Sequence, residues 1–184
     1  MSNHYIISVL SEDRPGIIAD ITGAVYELGG DLAELNQSIL CGYLTMVLIV
    51  TFDDDVEAPL LLSRLNEIDS PTKYDFIVRS IAAPEGCPPA GPPDKTYVMT
   101  AQGQNKKGLV HGISSFCYRH NINILDLVTT RTDNTYTMIL QLDLSKVVAI
   151  ADVRAALQEL AAKSGLQVML QHHDLFKVTN EIPL

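Results

Sequence analysis

The feature that most constrains this 184-residue chain is that it repeats itself. A shift of 92 positions, without a gap, lays Tyr5 on Tyr97, Gly16 on Gly108, Ile21 on Ile113 and Tyr26 on Tyr118. The same shift places Leu35 on Leu127, Thr45-Met46 on Thr137-Met138, Leu48 on Leu140, Val56 on Val148 and Leu65 on Leu157. One offset that matches glycine, aromatic and apolar positions from end to end of the unit marks a duplication. Each copy must then build its own small core, at a length where core size alone is marginal and pairing with another copy stabilises both. Between the copies, Ala82 to Pro93 carries five prolines, which remove backbone donors and favour an extended spacer. The expected organisation is a first domain over residues 1–83, a Pro-rich linker over 84–94 and a second domain over 95–184 that includes a tail after Gln171.

Within copy one, Tyr5 to Leu10 is a short apolar run of strand type, and Asp13-Arg14-Pro15-Gly16 punctuates it. Pro15 is expected in the first helical turn, with Asp13 as cap. Ile17, Ile18, Ile21, Val25 and Leu28 recur at spacings of three and four and predict a helix ending at Gly29-Gly30. Leu32 to Leu40 and Tyr43 to Phe52 read as two strands joined by a hairpin turn at Cys41-Gly42. Leu61, Leu62, Leu65 and Ile68 supply a second amphipathic helix, and Tyr74 to Ala82 a last strand. Copy two repeats the series: strand 97–101, helix 109–119, strands 122–130 and 136–142, helix 151–163 and strand 167–171. The order βαββαβ with right-handed crossovers predicts an α+β fold: two tandem ferredoxin-like units, each an antiparallel sheet with both helices on one face. The other face is left bare.

Composition narrows function by exclusion. A formal net charge of −9 argues against direct nucleic-acid binding, which needs clustered Lys and Arg to neutralise phosphates. No apolar run is long enough for a membrane span. The start, Met1-Ser2-Asn3-His4 running into Tyr5-Ile6-Ile7, lacks the pattern of a signal peptide, so the cytoplasm is the expected location. Cys41, Cys87 and Cys117 are too scattered for a disulfide framework or zinc site. His111 and His120 stand nine residues apart in one expected helix, and His172-His173, read as adjacent strand residues, point to opposite faces. Asp53-Asp54-Asp55 reads as a solvated turn. Ser114, Ser115 and Cys117 have no base at helical spacing to activate them. The expectation is therefore no catalytic residue, no metal and no cofactor.

Asp13-Arg14-Pro15-Gly16-Ile17-Ile18 after a first strand, then Gly30-Asp31-Leu32 opening the second, resembles the ACT domain, a regulatory module that usually binds amino acids. Leu35-Asn36-Gln37-Ser38-Ile39-Leu40 followed by Gly42-Tyr43-Leu44-Thr45-Met46 resembles the small stand-alone ACT proteins, and the tandem layout is similar to the glycine cleavage system transcriptional repressor family. The resemblance implies a ligand held between ACT units by the loop after the first strand and the start of the second strand. Glycine in such a loop lets backbone N–H groups approach an anion such as an α-carboxylate. Carried over by position, the contacts fall on Ser11, Asp13 and Asp31, with Arg14, Pro15, Gly16 and Ile17 beside them. In copy two they fall on Gly103, Asn105 and Asn123, with Lys106, Lys107, Gly108 and Leu109 beside them. Asn105 and Asn123 resemble serine-binding units, because an amide both donates to a carboxylate and accepts from an ammonium. Ionised Asp13 and Asp31 only accept, and Lys106-Lys107 stands where the motif has Arg-Pro. The implied role is a non-enzymatic regulator that binds a small amino acid of glycine or serine type, forms a homodimer and acts on a protein partner. The alternative is a protein–protein adaptor without a small ligand.

Overall fold

Alternation begins the first unit: in β1 (Asn3–Glu12) Tyr5, Ile7 and Val9 are buried while Ser8 and Leu10 on the other face are exposed, as a half-buried strand requires. The computed structural model describes residues 3–53, 56–82 and 93–180. The expected linker, Cys87 and two residues of the Asp53-Asp54-Asp55 turn lie outside the described residues, apart from Pro93, Asp94 and Asp53. The chain divides into two compact units, Met1–Pro89 and Ala90–Leu184.

In the first unit, α1 (Ile17–Glu27), β2 (Gly30–Leu40), β3 (Tyr43–Phe52), α2 (Ala58–Asn66) and β4 (Asp75–Ile81) follow β1. The sheet order is β2-β3-β1-β4, with every neighbouring pair antiparallel. In the second unit, β5 (Thr96–Gln104), α3 (Leu109–Arg119), β6 (Asn123–Thr132), β7 (Thr135–Asp143), α4 (Ile150–Ser164) and β8 (Leu166–His172) give the order β6-β7-β5-β8. The expected α+β class and βαββαβ pattern hold in both units. The repeat extends to the hydrogen-bond ladders. Tyr5 pairs with Ser80, and 92 positions on, Tyr97 pairs with His172. The bulge between Leu32 and Glu34 recurs between Ile124 and Asp126.

Each core lies between one sheet face and its helices. Ile7, Val9, Ile21, Val25, Leu48, Phe52, Leu61 and Leu65 are central to the first, and Met99, Ile113, Phe116, Met138, Leu140, Val153 and Leu157 to the second. The predicted hairpin at Cys41-Gly42 forms, with φ of 53° and 80° and Leu40 paired to Tyr43, as a two-residue loop with positive φ at both positions. Beyond the first helix, the left-handed position is Gly29 in one copy and Asn121 in the other, two residues that tolerate it.

Three expectations need correction. Asp13 does not cap α1: the cap is Gly16, left-handed at φ 96°, with no side-chain hydrogen bond. Pro15 therefore precedes the cap instead of occupying the first turn. The reason is that the chain reverses at Gly16, while Asp13 is fixed earlier by its backbone N–H donating to Gly42 O at 2.9 Å. His172 and His173 are not both strand residues. His172 ends β8, and His173 opens α5 (His173–Asn180), so the described part of the tail is helical. The His172 ring accepts the Asp174 N–H through Nδ1 at 3.3 Å, serving a donor that an N-terminal turn leaves open.

Candidate functional site

In both copies the loop after the first strand is anchored to a hairpin tip. Asn105 N–H donates to Asn134 O at 2.8 Å, the counterpart of the Asp13 bond to Gly42. Gly108, at φ 86°, caps α3 as Gly16 caps α1, and neither helix has a side-chain cap. The first-turn N–H groups of each helix are thus left to solvent, ligand or neighbouring side chains.

The side chains around the two loops differ completely. In the first unit Arg14 turns inward. Its Nε donates to Thr72 Oγ1 at 3.1 Å, and one terminal nitrogen reaches Asp20 Oδ2 at 2.5 Å, Ser70 Oγ at 2.7 Å and Tyr74 Oη at 2.6 Å. The other terminal nitrogen donates to Pro15 O at 2.8 Å. Tyr74 Oη donates in turn to Asp20 at 2.8 Å, and the buried Ser11 hydroxyl meets Glu12 O and Thr72 Oγ1. Arg14 and then the Tyr74 hydroxyl hold the Asp20 carboxyl below its usual range. Burial pushes the Tyr74 phenol up, and Asp20 adds to that. A cluster with its donors and acceptors matched this fully clamps the loop before α1 to the segment before β4. Sequence reasoning put Ser11 and Arg14 beside a ligand; it missed Asp20 in the first turn of α1, and Ser70, Thr72 and Tyr74, which come from a sequence-distant segment. Asp31 is also engaged locally, its Oδ1 accepting the Leu32 N–H at 2.9 Å.

In the second unit the cluster is gone. At the matching positions Gly103 replaces Ser11, Lys106 replaces Arg14, Gly112 replaces Asp20 and Leu166 replaces Tyr74. Gly103 has a packing reason: a Cβ there would lie 2.9 Å from Gly165 O and from the Leu166 side chain. A cavity of about 270 Å³ opens between the start of α3 and the end of α4, lined by Lys106, Lys107, Gly108 and Leu109 among others. Asn123 does not share it. It opens edge strand β6, exposed, beside a separate depression of about 230 Å³ that also involves Tyr118, Asp143 and Lys146. The Ser145 hydroxyl and backbone N–H hold the Asp143 carboxyl below its usual range. Asn105 lines neither of these two cavities, so neither joins it to Asn123 within this unit.

Burial pushes the Cys117 thiol up to about 11, the opposite of what a nucleophile requires. Among the described residues no three His, Cys, Asp or Glu side chains gather as a metal site would need, and no helix is long and apolar enough to cross a membrane.

Models of the ACT domain match residues 5–69 and 95–171, one for each unit just described. The chain belongs to the ACT-domain family. Its curated relatives include a UPF0237 protein of Methanocaldococcus jannaschii, 37% identical over 86 residues, which are 46% of this chain and 96% of the relative. A UPF0237 protein of Clostridium perfringens is 33% identical over 86 residues, 46% of this chain and 97% of its own. Each of these relatives is about one ACT domain long. Among solved structures, a protein of Galdieria sulphuraria superposes with a TM-score of 0.70 at 18% identity, covering 94% of this chain and 99% of its own. A candidate glycine cleavage system transcriptional repressor superposes with a TM-score of 0.64 at 14% identity, covering 93% and 97%. At these identities the two structures share the tandem ACT fold with this chain, and the fold alone.

Proposed function

We propose that this tandem ACT protein is a non-enzymatic, cytoplasmic regulator that binds a small amino acid of glycine or serine type between ACT units, forms a homodimer and passes occupancy to a protein partner. Regulation of transcription in glycine metabolism is the setting this reading favours, from the fold shared with the candidate repressor. The observation that carries the reading is the division of labour in the second unit. Asn105 lies on a loop whose backbone is pinned by Asn134, next to the uncapped start of α3, while Asn123 is exposed at a sheet edge where a second module can meet it. An α-carboxylate at the helix start and an ammonium at an asparagine oxygen fit those two groups when they come from different modules. In the first unit the inward-turned Arg14, and Asp13 and Asp31 in place of the two asparagines, make the matching positions poorer for a carboxylate.

A ligand that bridges two modules stabilises the assembly containing the bridge by no more than its differential affinity for the two states. The test is a thermal-shift series of the full chain against the twenty amino acids. A stereospecific rise in midpoint that disappears in the Asn105→Ala/Asn123→Ala variant is expected. No shift at millimolar ligand would favour the second reading, an adaptor without a small ligand. That reading rests on the outer sheet faces, where Val47 and Ile77 in the first unit and Val128, Ile139 and Met169 in the second are exposed at matching positions of one cross-strand row.

A further inference from the structure

Three of the chain's seven lysines line the cavity between α3 and α4, in a protein whose formal net charge is −9. Lys106 and Lys107 precede the α3 cap, Lys163 comes from the last turn of α4, and no carboxylate joins the lining. Lys163 has a loose contact with Glu159 at 3.8 Å; Lys106 and Lys107 form no ion pair among the described residues. The Ser164 hydroxyl in the wall already donates to Leu160 O at 2.7 Å, so the attraction for an anion comes from the ammonium groups. Ile113, Leu160 and Leu166 supply an apolar floor.

The first unit shows what normally occupies this place. There Asp20 lies in the first turn of α1 and answers both the Arg14 guanidinium and the positive end of the helix. In the second unit Gly112 stands at that position, and the first turn of α3 has no acidic residue. A Cβ built on Gly112 meets nothing within 4 Å. The cationic side of the pair is thus kept, and enlarged, while the anionic side has been removed and its volume left open.

We propose that this cavity binds a small, doubly charged organic anion, its carboxylate or phosphate groups held by Lys106, Lys107 and Lys163 and its short carbon chain on the apolar floor. The volume of about 270 Å³ is at the small end of ligand pockets and admits a metabolite of a few carbons. A zwitterionic amino acid is a poorer guest, because nothing in the lining carries the negative charge its ammonium would seek. The cavity lies within one module and includes the start of α3, which the amino-acid reading also uses; it differs from that reading in needing neither Asn105, Asn123 nor a second module.

The test titrates the full-length protein, at constant ionic strength, with succinate in one arm, glycerol 3-phosphate in a second and glycine in a third. Amide NMR shifts of residues 106–113 and 160–166 are followed. Saturable shifts in that cluster with either dianion are expected, while any shift that glycine causes there should vanish in Asn105→Ala/Asn123→Ala; which dianion acts tells carboxylate from phosphate recognition. Gly112→Asp, which restores the first unit's charge in open space, should weaken the binding by about tenfold or more, while Gly112→Ala leaves it within about twofold. Asn105→Ala/Asn123→Ala should leave it unchanged, which keeps this proposal distinguishable from the amino-acid reading. Absence of saturable shifts with both dianions would overturn it, as would equal binding by the Asp and Ala variants at position 112.

Discussion

Arg14 forms hydrogen bonds to five residues of its own unit and carries most of the polar order around the first loop. Its partnership with Asp20 has a pH signature. The Asp20 carboxyl is held below its usual range when folded, so its contribution to stability is complete above its ordinary value near 4 and is lost as pH falls through the lower folded value. Asp20→Asn should destabilise the first unit at neutral pH and flatten its acid dependence below about pH 4, with the second unit unaffected. Urea titrations across pH, read by residue-resolved NMR, check this. An unchanged acid limb in the variant would mean that other carboxylates set it.

The elements show how volume is exchanged between copies. Gly30 opens β2 where a Cβ would come within 2.4 Å of the Phe52 ring and 2.8 Å of Val25, all parts of a closed core. At the matching positions the second unit has Ile122 and Leu144, both buried, so a glycine facing a phenylalanine has become two aliphatic residues. Gly30→Ala should cost about 1–3 kcal/mol of first-unit stability by overpacking. Adding Phe52→Leu should recover part of that cost, which a double-mutant cycle of denaturant midpoints measures. Additive losses would show that backbone strain, and not the ring, sets the penalty. The second unit also has α5, which has no counterpart among the described residues of the first. It lies against β5 and β8, and Val98, on the outer face of that sheet, is only 3% exposed.

For the whole molecule, the outer sheet faces present exposed apolar side chains that association would bury. Ile77 is 58% exposed and Ile139 40% exposed, each in the middle row of its own sheet. If homodimer formation uses these faces, Ile77→Glu or Ile139→Glu should weaken self-association by about tenfold or more in sedimentation equilibrium, since a charge would be buried without a partner. An unchanged association constant in both variants would move the interface to the sheet edges or the helices.

The duplication, the order of elements, the hairpin at Cys41-Gly42 and the core faces were legible because they follow from local rules: period 2 or 3.6, left-handed glycines and one constant offset. The ACT resemblance was legible for the same reason, since its motif is contiguous at Asp13 to Ile18. The helical tail and the true cap at Gly16 were not, because each depends on where the preceding strand lets go of the chain. Nor was the Arg14 cluster, since Ser70, Thr72 and Tyr74 lie 56 to 60 residues away in sequence and meet Arg14 only when α1 and the segment before β4 converge. The substitutions at 106, 112 and 166 were visible in the sequence as single mismatches between the copies. Only the tertiary structure made them one event, because it brings those three positions to a single cavity where removal of one charge leaves the others unanswered.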